Sequence, residues 1–189
     1  MASKITIPDL KKIRVTDPLF SHYAGMVAKK MIPVQWEILN GKQGQSRCFC
    51  IDNFRIAGGT LQGEHRGVVF GDTDAYKWLE AVAYCANNGE TEYIPEADEL
   101  IEIIGQAQQP DGYLNTYFTV CHPELRWKNL TEGHELYSAG HLIEAAVAYY
   151  NATGKRRLLD IAAKFADLIC QTFGDGEGQI PGYPGHQEI

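Results

Sequence analysis

The chain has 189 residues, of which 44% are hydrophobic and 22% charged, an ordinary composition for a globular domain with a buried core. Its net charge of -7 argues against nucleic acid or an anionic membrane as partner, because both are bound through clustered Lys and Arg. No apolar stretch approaches the roughly 20 residues that span a bilayer, and the start of the chain lacks the apolar segment of a secretory signal. We therefore expect a cytoplasmic protein that binds neither nucleic acid nor membrane.

The five cysteines are scattered and odd in number, so the sequence predicts reduced thiols rather than a disulfide framework. Cys48 and Cys50 form a C-x-C pair. This is a weak metal signal, because the sequence offers no second pair to complete a tetrahedral site. We expect structural or incidental roles for all five cysteines.

The first part of the chain predicts an irregular arm followed by a kinked helix. Residues 1–16 are polar and contain KIRV, a short run able to pair as a strand. Asp17-Pro18 is typical of an N-cap with proline at the first helical position. Pro33 would break or kink the helix before it ends at Gly41. The expected inward face of this helix consists of Phe20, Tyr23, Ala24, Val27 and Met31.

Residues 42–71 are rich in glycine and predict a long surface loop with one short helix near Ile51–Ala57. Two capped amphipathic helices follow, from Asp72 to Asn88 and from about Glu92 to Gln108. The stretch GYLNTYFTV after the next turn predicts a short extended segment. The expected inward residues of the two helices are Tyr76, Leu79, Ala83 and Tyr84, then Ala97, Leu100, Ile101, Ile104 and Gln108.

Two segments of the chain repeat. Residues 79–89 read LEAVAYCANNG and residues 143–154 read IEAAVAYYNATG, and each is followed by a second helix that ends in an Asp-Gly turn. A repeated two-helix unit is typical of solenoids and closed helical rings, because one hairpin cannot bury its apolar face without neighbours. The loops after each turn would collect on one face and form a binding mouth. GYPGHQEI at 182–189 resembles the start of a third unit, so we expect the front portion of a larger ring.

The segment GHELYSAGH places His134, Ser138 and His141 on one stripe of a helix. The zinc-protease pattern H-E-x-x-H fails, because Ser138 stands where its second histidine would be. Two histidines seven residues apart lie about 10 Å apart along a helix, too far to share one metal ion. Sugar ligands and ordinary core or capping histidines remain as alternative interpretations.

Two further residues are candidate sugar contacts. His186 follows a glycine at the start of the third unit, and a neutral imidazole can both donate and accept hydrogen bonds from hydroxyls. Gln35 stands beside Trp36, a pairing common at sugar sites, although a core tryptophan beside a surface glutamine explains it as well. Asp72 and Asp74 suggest paired glycosidase carboxylates, but Asp72 is also a natural N-cap.

Several motifs together resemble one enzyme family. DTDAYKWLEAVAY, AQQPDGYLNTYF, GHELYSAGHLIEAAVAYYNATGKRRLLDIA and GYPGHQEI, in this order, resemble glycoside hydrolase family 127, whose activity is β-L-arabinofuranosidase. IPVQWEILNG matches the early segment of that family. The resemblance covers nearly the whole chain from about Val15 onward.

The resemblance implies an all-α fold, an incomplete (α/α)6 toroid of helical hairpins behind a short extended arm. It also implies retaining hydrolysis of terminal β-L-arabinofuranosyl groups, with a zinc-bound cysteine thiolate as nucleophile and a glutamate as acid/base. Those residues lie in the second half of the toroid, and none of the five cysteines matches their motif. We therefore assign no catalytic or metal-binding residue here, and expect zinc in the full-length enzyme but not in this chain. The resemblance implies substrate-binding roles for His134, His186 and Gln35, while His141 has no matching role.

We predict an N-terminal arm at 1–16 and the N-terminal part of the toroid catalytic domain at 17–189. The chain would hold part of the sugar subsite for an L-arabinofuranosyl oligosaccharide, be inactive alone, and self-associate through exposed helix faces. A non-catalytic sugar-binding or scaffold module, or a family relative that acts on another glycoside, are the alternatives.

Overall fold

The computed structural model describes residues 8–42 and 48–189, which are helical and contain no β-strand. An isolated parallel bridge joins Phe173 to Ile180. Short 3-10 turns lie at Leu10–Lys12 and Pro123–Leu125, and a π-helical turn at Val27–Met31. The α-helices are α1 Pro18–Met26, α2 Ile32–Leu39, α3 Cys50–Ala57, α4 Asp72–Asn87, α5 Ile94–Ala107, α6 Thr116–Val120, α7 Glu135–Thr153 and α8 Arg157–Thr172.

The longer helices form two layers, and the chain alternates between them. In one layer α2 packs on α4 and α4 on α7, and in the other α3 packs on α5 and α5 on α8. The hairpins α4–α5 and α7–α8 are the two repeated units that the sequence predicts. The structure adds α2 and α3 in the same alternation, although their sequences do not show the repeat. This is the incomplete α/α toroid that the sequence predicts.

The core confirms most of the expected inward faces. Tyr76, Leu79 and Ala83 of α4 are buried, and so are the apolar positions expected in α5. Tyr84 is exposed, and the prediction for it was wrong. Gln108 follows α5 and donates from Nε2 to the carbonyl oxygens of Gly112 and Ile161, which fixes the turn after α5 against α8.

Two predictions about the first helix have different outcomes. Asp17 caps α1 as expected, because its Oδ1 accepts from the backbone N–H groups of Leu19 and Phe20. The predicted inward face was wrong for Phe20, which is 64% exposed, and for Tyr23, which is 53% exposed, whereas Val27 packs against the core. Periodicity identifies the apolar side of a helix, but it does not show whether another element covers that side.

Pro33 does not break the helical course of the chain. The π-helical turn ends at Met31, and Pro33 lies in the first turn of α2, where its missing N–H costs little. Trp36 of α2 stacks on Trp78 of α4 at 4.7 Å between ring centroids, and Trp78 Nε1 donates to the Ile32 carbonyl oxygen at 3.1 Å. These contacts attach α2 to α4.

Two short segments differ from their predictions. KIRV pairs with no strand among the described residues, and Lys12 lies in a 3-10 turn instead. Residues 1–7 of the arm lie outside the described residues. The predicted extended stretch contains α6, because Asn115 Oδ1 accepts from the backbone N–H of Phe118 and caps a five-residue helix. A helix this short is invisible to periodicity.

Within the described residues, no helix is both long and apolar enough to cross a bilayer.

The apolar surface of α1 and α2 generates a testable expectation. Phe20, Tyr23 and Val34 are all exposed on these helices, and exposed apolar clusters favour association. We expect the 189-residue chain to be dimeric or larger at micromolar concentration in light scattering. Combined replacement of Phe20 and Tyr23 by serine should shift the mass toward the monomer, while the matched replacement His22→Ser on the same helix should not. A clean monomer for the parent chain would contradict this expectation.

Candidate functional site

Five rings from three parts of the chain meet at the N-terminal end of α7. His134, Tyr137 and His141 come from the start of α7, Phe70 from the loop before α4, and His186 from the segment after α8. The ring centroids of His134 and His186 are 4.7 Å apart, and Phe70 lies 5.0 Å from His134. The Tyr137 ring lies 5.0 Å from His186 and 4.6 Å from His141. We call these residues the histidine–aromatic cluster.

His134 occupies an unusual backbone conformation. It precedes the first residue of α7 with φ of 53° and ψ of 21°, the left-handed region that residues with a side chain rarely adopt. Its Nδ1 lies 2.7 Å from the carbonyl oxygen of Glu132. A carbonyl oxygen can only accept, so Nδ1 carries the proton, and Nε2 of the neutral ring is an acceptor. The hydrogen bond to Glu132 thus fixes the tautomer of the ring. The strained backbone is typical of a functional position.

His141, expected to be structural, closes the other side of the cluster. Its Nδ1 lies 3.1 Å from Glu188 Oε1. Burial lowers the pKa of His141, and the positive charge of Lys77 lowers it further. Lys77 Nζ donates to the Tyr137 hydroxyl at 2.9 Å and so attaches α4 to the cluster.

One group of side chains near the cluster has metal-ligand geometry. Potential ligand atoms of His141, Glu144 and Glu188 lie within 4.8 Å of one another. This group contains no thiolate, and in residues 8–42 and 48–189 no group of three potential ligands includes a cysteine. A zinc–cysteine centre of the kind that the resemblance implies therefore does not fit the described residues. The absence of bound metal in this chain stays a prediction.

Gln35 lies apart from the cluster. It is exposed on α2 and lines a cavity of about 440 Å³ together with Asp74 and Lys77. Lys77 therefore borders both this cavity and the histidine–aromatic cluster. Trp36 stacks on Trp78 rather than facing the cavity with Gln35, so the core interpretation of this tryptophan is confirmed.

Asp72 is a buried structural carboxylate rather than an N-cap. It is the first residue of α4 and is 1% exposed. Its oxygens accept from Thr116 N at 2.8 Å and from Thr116 Oγ1 at 2.5 Å. Burial raises the pKa of Asp72 to about 6, although the bonds from Thr116 oppose this shift. Because Asp72 is enclosed and Asp74 is exposed, the two do not form a catalytic pair.

Glu135 is the corresponding residue of α7, and sequence reasoning missed it. It is buried at the first position of the helix and accepts from the Tyr113 hydroxyl at 2.5 Å and from Trp127 N at 2.8 Å. Burial raises the pKa of Glu135, and these hydrogen bonds counter part of that shift. The guanidinium of Arg126 covers the Tyr113 ring at 3.9 Å. A glutamate in the first turn of a helix is common, because it interacts favourably with the helix dipole. The sequence therefore gives no sign that Glu135 is buried.

The alternating layers, with the cluster at one end of them, define an incomplete α/α toroid. The family model for the β-L-arabinofuranosidase GH127 catalytic domain matches residues 12–189. The chain therefore belongs to the GH127 family.

Three relatives show what share of the length of such proteins this chain spans. It is 36% identical to a non-reducing end β-L-arabinofuranosidase of Bifidobacterium longum subsp. longum, over 94% of this chain and 30% of that protein. It is 55% identical, with a TM-score of 0.87, to a GH127 β-L-arabinofuranosidase from Geobacillus stearothermophilus T6, covering 93% of this chain and 28% of that one. A second GH127 β-arabinofuranosidase structure is 33% identical with a TM-score of 0.83, covering 95% and 29%. The chain thus spans less than a third of the length of these relatives.

The raised pKa of Asp72 generates a pH-dependent stability. Its folded pKa of about 6 exceeds the ordinary value of 3.8, so the folded state binds the extra proton. The stabilising contribution of protonated Asp72 is complete below pH 3.8 and is lost as the pH rises through about 6. Relative to Asp72→Asn, the parent chain should lose about 2.4 kcal/mol of unfolding free energy between pH 4 and 7, because each unit of pKa shift corresponds to about 1.4 kcal/mol.

Urea denaturation followed by circular dichroism at several pH values measures this difference. Asp167→Asn on α8 is the matched control, because it removes an exposed carboxylate with no partner role in the core. The difference in unfolding free energy between Asp167→Asn and the parent chain should not change in this way between pH 4 and 7. Stability curves for Asp72→Asn and the parent chain that run parallel from pH 4 to 7 would refute the assignment.

Proposed function

We propose that this chain forms part of the arabinofuranose-binding site of a retaining β-L-arabinofuranosidase that acts on L-arabinofuranosyl-containing oligosaccharides. The observation that carries the proposal is the 4.7 Å contact between His134 and His186, which helices α7 and α8 separate in the sequence. Two imidazoles that meet in this way at the end of a toroid form a compact polar surface. The names and identities of the GH127 relatives support the substrate class.

The chemistry of the cluster suits a small sugar. The Glu132 carbonyl oxygen already occupies Nδ1 of His134, so Nε2 is the ring nitrogen that can hydrogen-bond a sugar hydroxyl. Phe70 and Tyr137 provide apolar ring surface beside the two imidazoles, against which the C–H faces of a furanose ring can pack. A mostly apolar surface with a few fixed polar groups is typical of small-molecule sites.

Gln35 is the third proposed sugar contact. Its amide can donate and accept, and it lines the cavity that Lys77 connects to the cluster. Lys77 lies between the two places, because it lines the cavity with Gln35 and donates to Tyr137 of the cluster. We therefore assign Gln35 to the rim of the site rather than to its centre.

The reaction itself requires groups outside this chain. The resemblance implies that the nucleophile is a cysteine thiolate, whose pKa a zinc ion would lower. The described residues of this chain offer the sugar contacts but no thiolate-containing metal group. We therefore assign hydrolysis to a longer, cytoplasmic GH127 protein that includes this sequence, and expect the 189-residue chain alone to be inactive.

Release of L-arabinose from an aryl β-L-arabinofuranoside tests the proposal. In a GH127 protein that contains this sequence, His134→Ala should lower kcat/KM by about 10- to 100-fold, since a lost polar contact of this kind costs about 1–3 kcal/mol. The matched control is His122→Ala, which removes an exposed imidazole paired with Glu124. The 189-residue chain should release no arabinose.

Each outcome has a separate meaning. Activity of the parent that falls with His134→Ala and persists with His122→Ala supports the sugar site. If kcat/KM falls equally in both variants, His134 has no specific role in sugar binding. If the parent instead releases only another sugar from a panel of aryl glycosides, the substrate class is wrong.

A further inference from the structure

We propose that Gly140 is a positioning residue of the sugar site: its missing side chain lets the segment after α8 rest on α7 and so holds His186 against His134. The proposal rests on the function proposed above for what His186 does, but the positioning itself is a structural claim. It assigns a specific role to the sixth residue of α7, a helical position where no turn requires glycine.

The contact at Gly140 excludes a side chain. A Cβ built on this glycine would lie 1.8 Å from the Glu188 carbonyl oxygen, 2.6 Å from its carbonyl carbon and 3.0 Å from its Cγ. Gly140 is buried within α7 and has ordinary helical φ, so its backbone conformation does not require glycine. Glycine inside a helix is unfavourable relative to alanine. The close approach of another backbone is the physical reason that remains.

His186 lies between two such contacts. On one side, a Cβ at Gly185 would lie 2.6 Å from Thr131 Cα, and Gly185 N donates to the Leu130 carbonyl oxygen at 3.2 Å. On the other side, Glu188 rests on Gly140 and its carboxylate lies 3.1 Å from His141 Nδ1. The segment is thus held before and after His186, and its imidazole is left facing His134 and Tyr137.

A methyl group at position 140 must displace the Glu188 backbone by more than about 1 Å to restore an ordinary contact distance. Because the obstructing atoms are backbone rather than a flexible side-chain end, the displacement carries His186 with it. A misplacement of about 1 Å in a binding group is enough to cost up to about 100-fold in rate. Gly140→Ala should therefore weaken sugar recognition without touching any sugar-binding side chain.

The matched control is Gly25→Ala. Gly25 is also a helical glycine, in α1, but a Cβ there meets nothing within 4 Å. Both substitutions bring the same gain in helix propensity, so they differ only in the contact that the new methyl group makes. Gly185→Ala is the second test variant. It acts on the other anchor of His186 in an exposed segment, where folding of the helices is not at risk.

The first readout needs no sugar. In the 189-residue chain, NMR signals of the His134 and His186 imidazoles, assigned with His134→Ala and His186→Ala, report the contact between the two rings. We expect both sets of signals to move in Gly140→Ala and in Gly185→Ala, and to stay in place in Gly25→Ala. Unchanged ring signals in Gly140→Ala and Gly185→Ala would overturn the positioning role, whatever the activity.

The second readout is the hydrolysis of an aryl β-L-arabinofuranoside by the GH127 protein that contains this sequence. Gly140→Ala should lower kcat/KM at least 10-fold, while Gly25→Ala keeps full activity. Moved ring signals with unchanged kcat/KM would overturn the role of this contact in sugar binding. Moved ring signals in a parent protein that hydrolyses no arabinofuranoside would support the positioning and refute only the proposed substrate.

Discussion

The close packing of α4 on α7 is the constraint on which the rest of the structure depends. Alanines are buried on both helices, and small side chains let two helix backbones approach closely. Lys77 near the start of α4 reaches Tyr137 near the start of α7, so the two helices begin at the same end of the molecule. Every component of the candidate sugar site from α4 and α7 therefore lies at that end.

Buried carboxylates at these two helix starts organise the connection between α5 and α7. Asp72 opens α4 and binds Thr116, while Glu135 opens α7 and binds Tyr113 and the backbone of Trp127. Carboxylates are costly to bury, and each is compensated by two hydrogen bonds from the same stretch of chain. The first residues of α4 and α7 thus hold one loop, and this loop supports His134, which directly precedes Glu135.

The sequence predicts the long elements well and the site only in part. Helices α4, α5, α7 and α8 have apolar periodicity over many turns, and the repeat relates them in pairs. Helix α6 is too short for periodicity, and Phe20 and Tyr23 on the predicted inner face of α1 are exposed. His134 and His186 were identifiable from their glycine–histidine context and the family resemblance. Phe70 and Tyr137 were not, because nothing local to a loop phenylalanine or a helical tyrosine shows that they meet two histidines.

The repeat also explains why Gly140 stands where it does. In the alignment that pairs Leu79 with Ile143, the residue of α4 that corresponds to Gly140 is Tyr76, whose side chain is buried and packs 5.9 Å from the Phe54 ring. The two units therefore differ at this aligned position, with a buried tyrosine in α4 and a glycine approached by the Glu188 backbone in α7. Structural repeats need only a filled interface between neighbours, and the identity of the filling group is free. The missing side chain at Gly140 is what allows the segment after α8 to bring His186 to a cluster otherwise built around the start of α7.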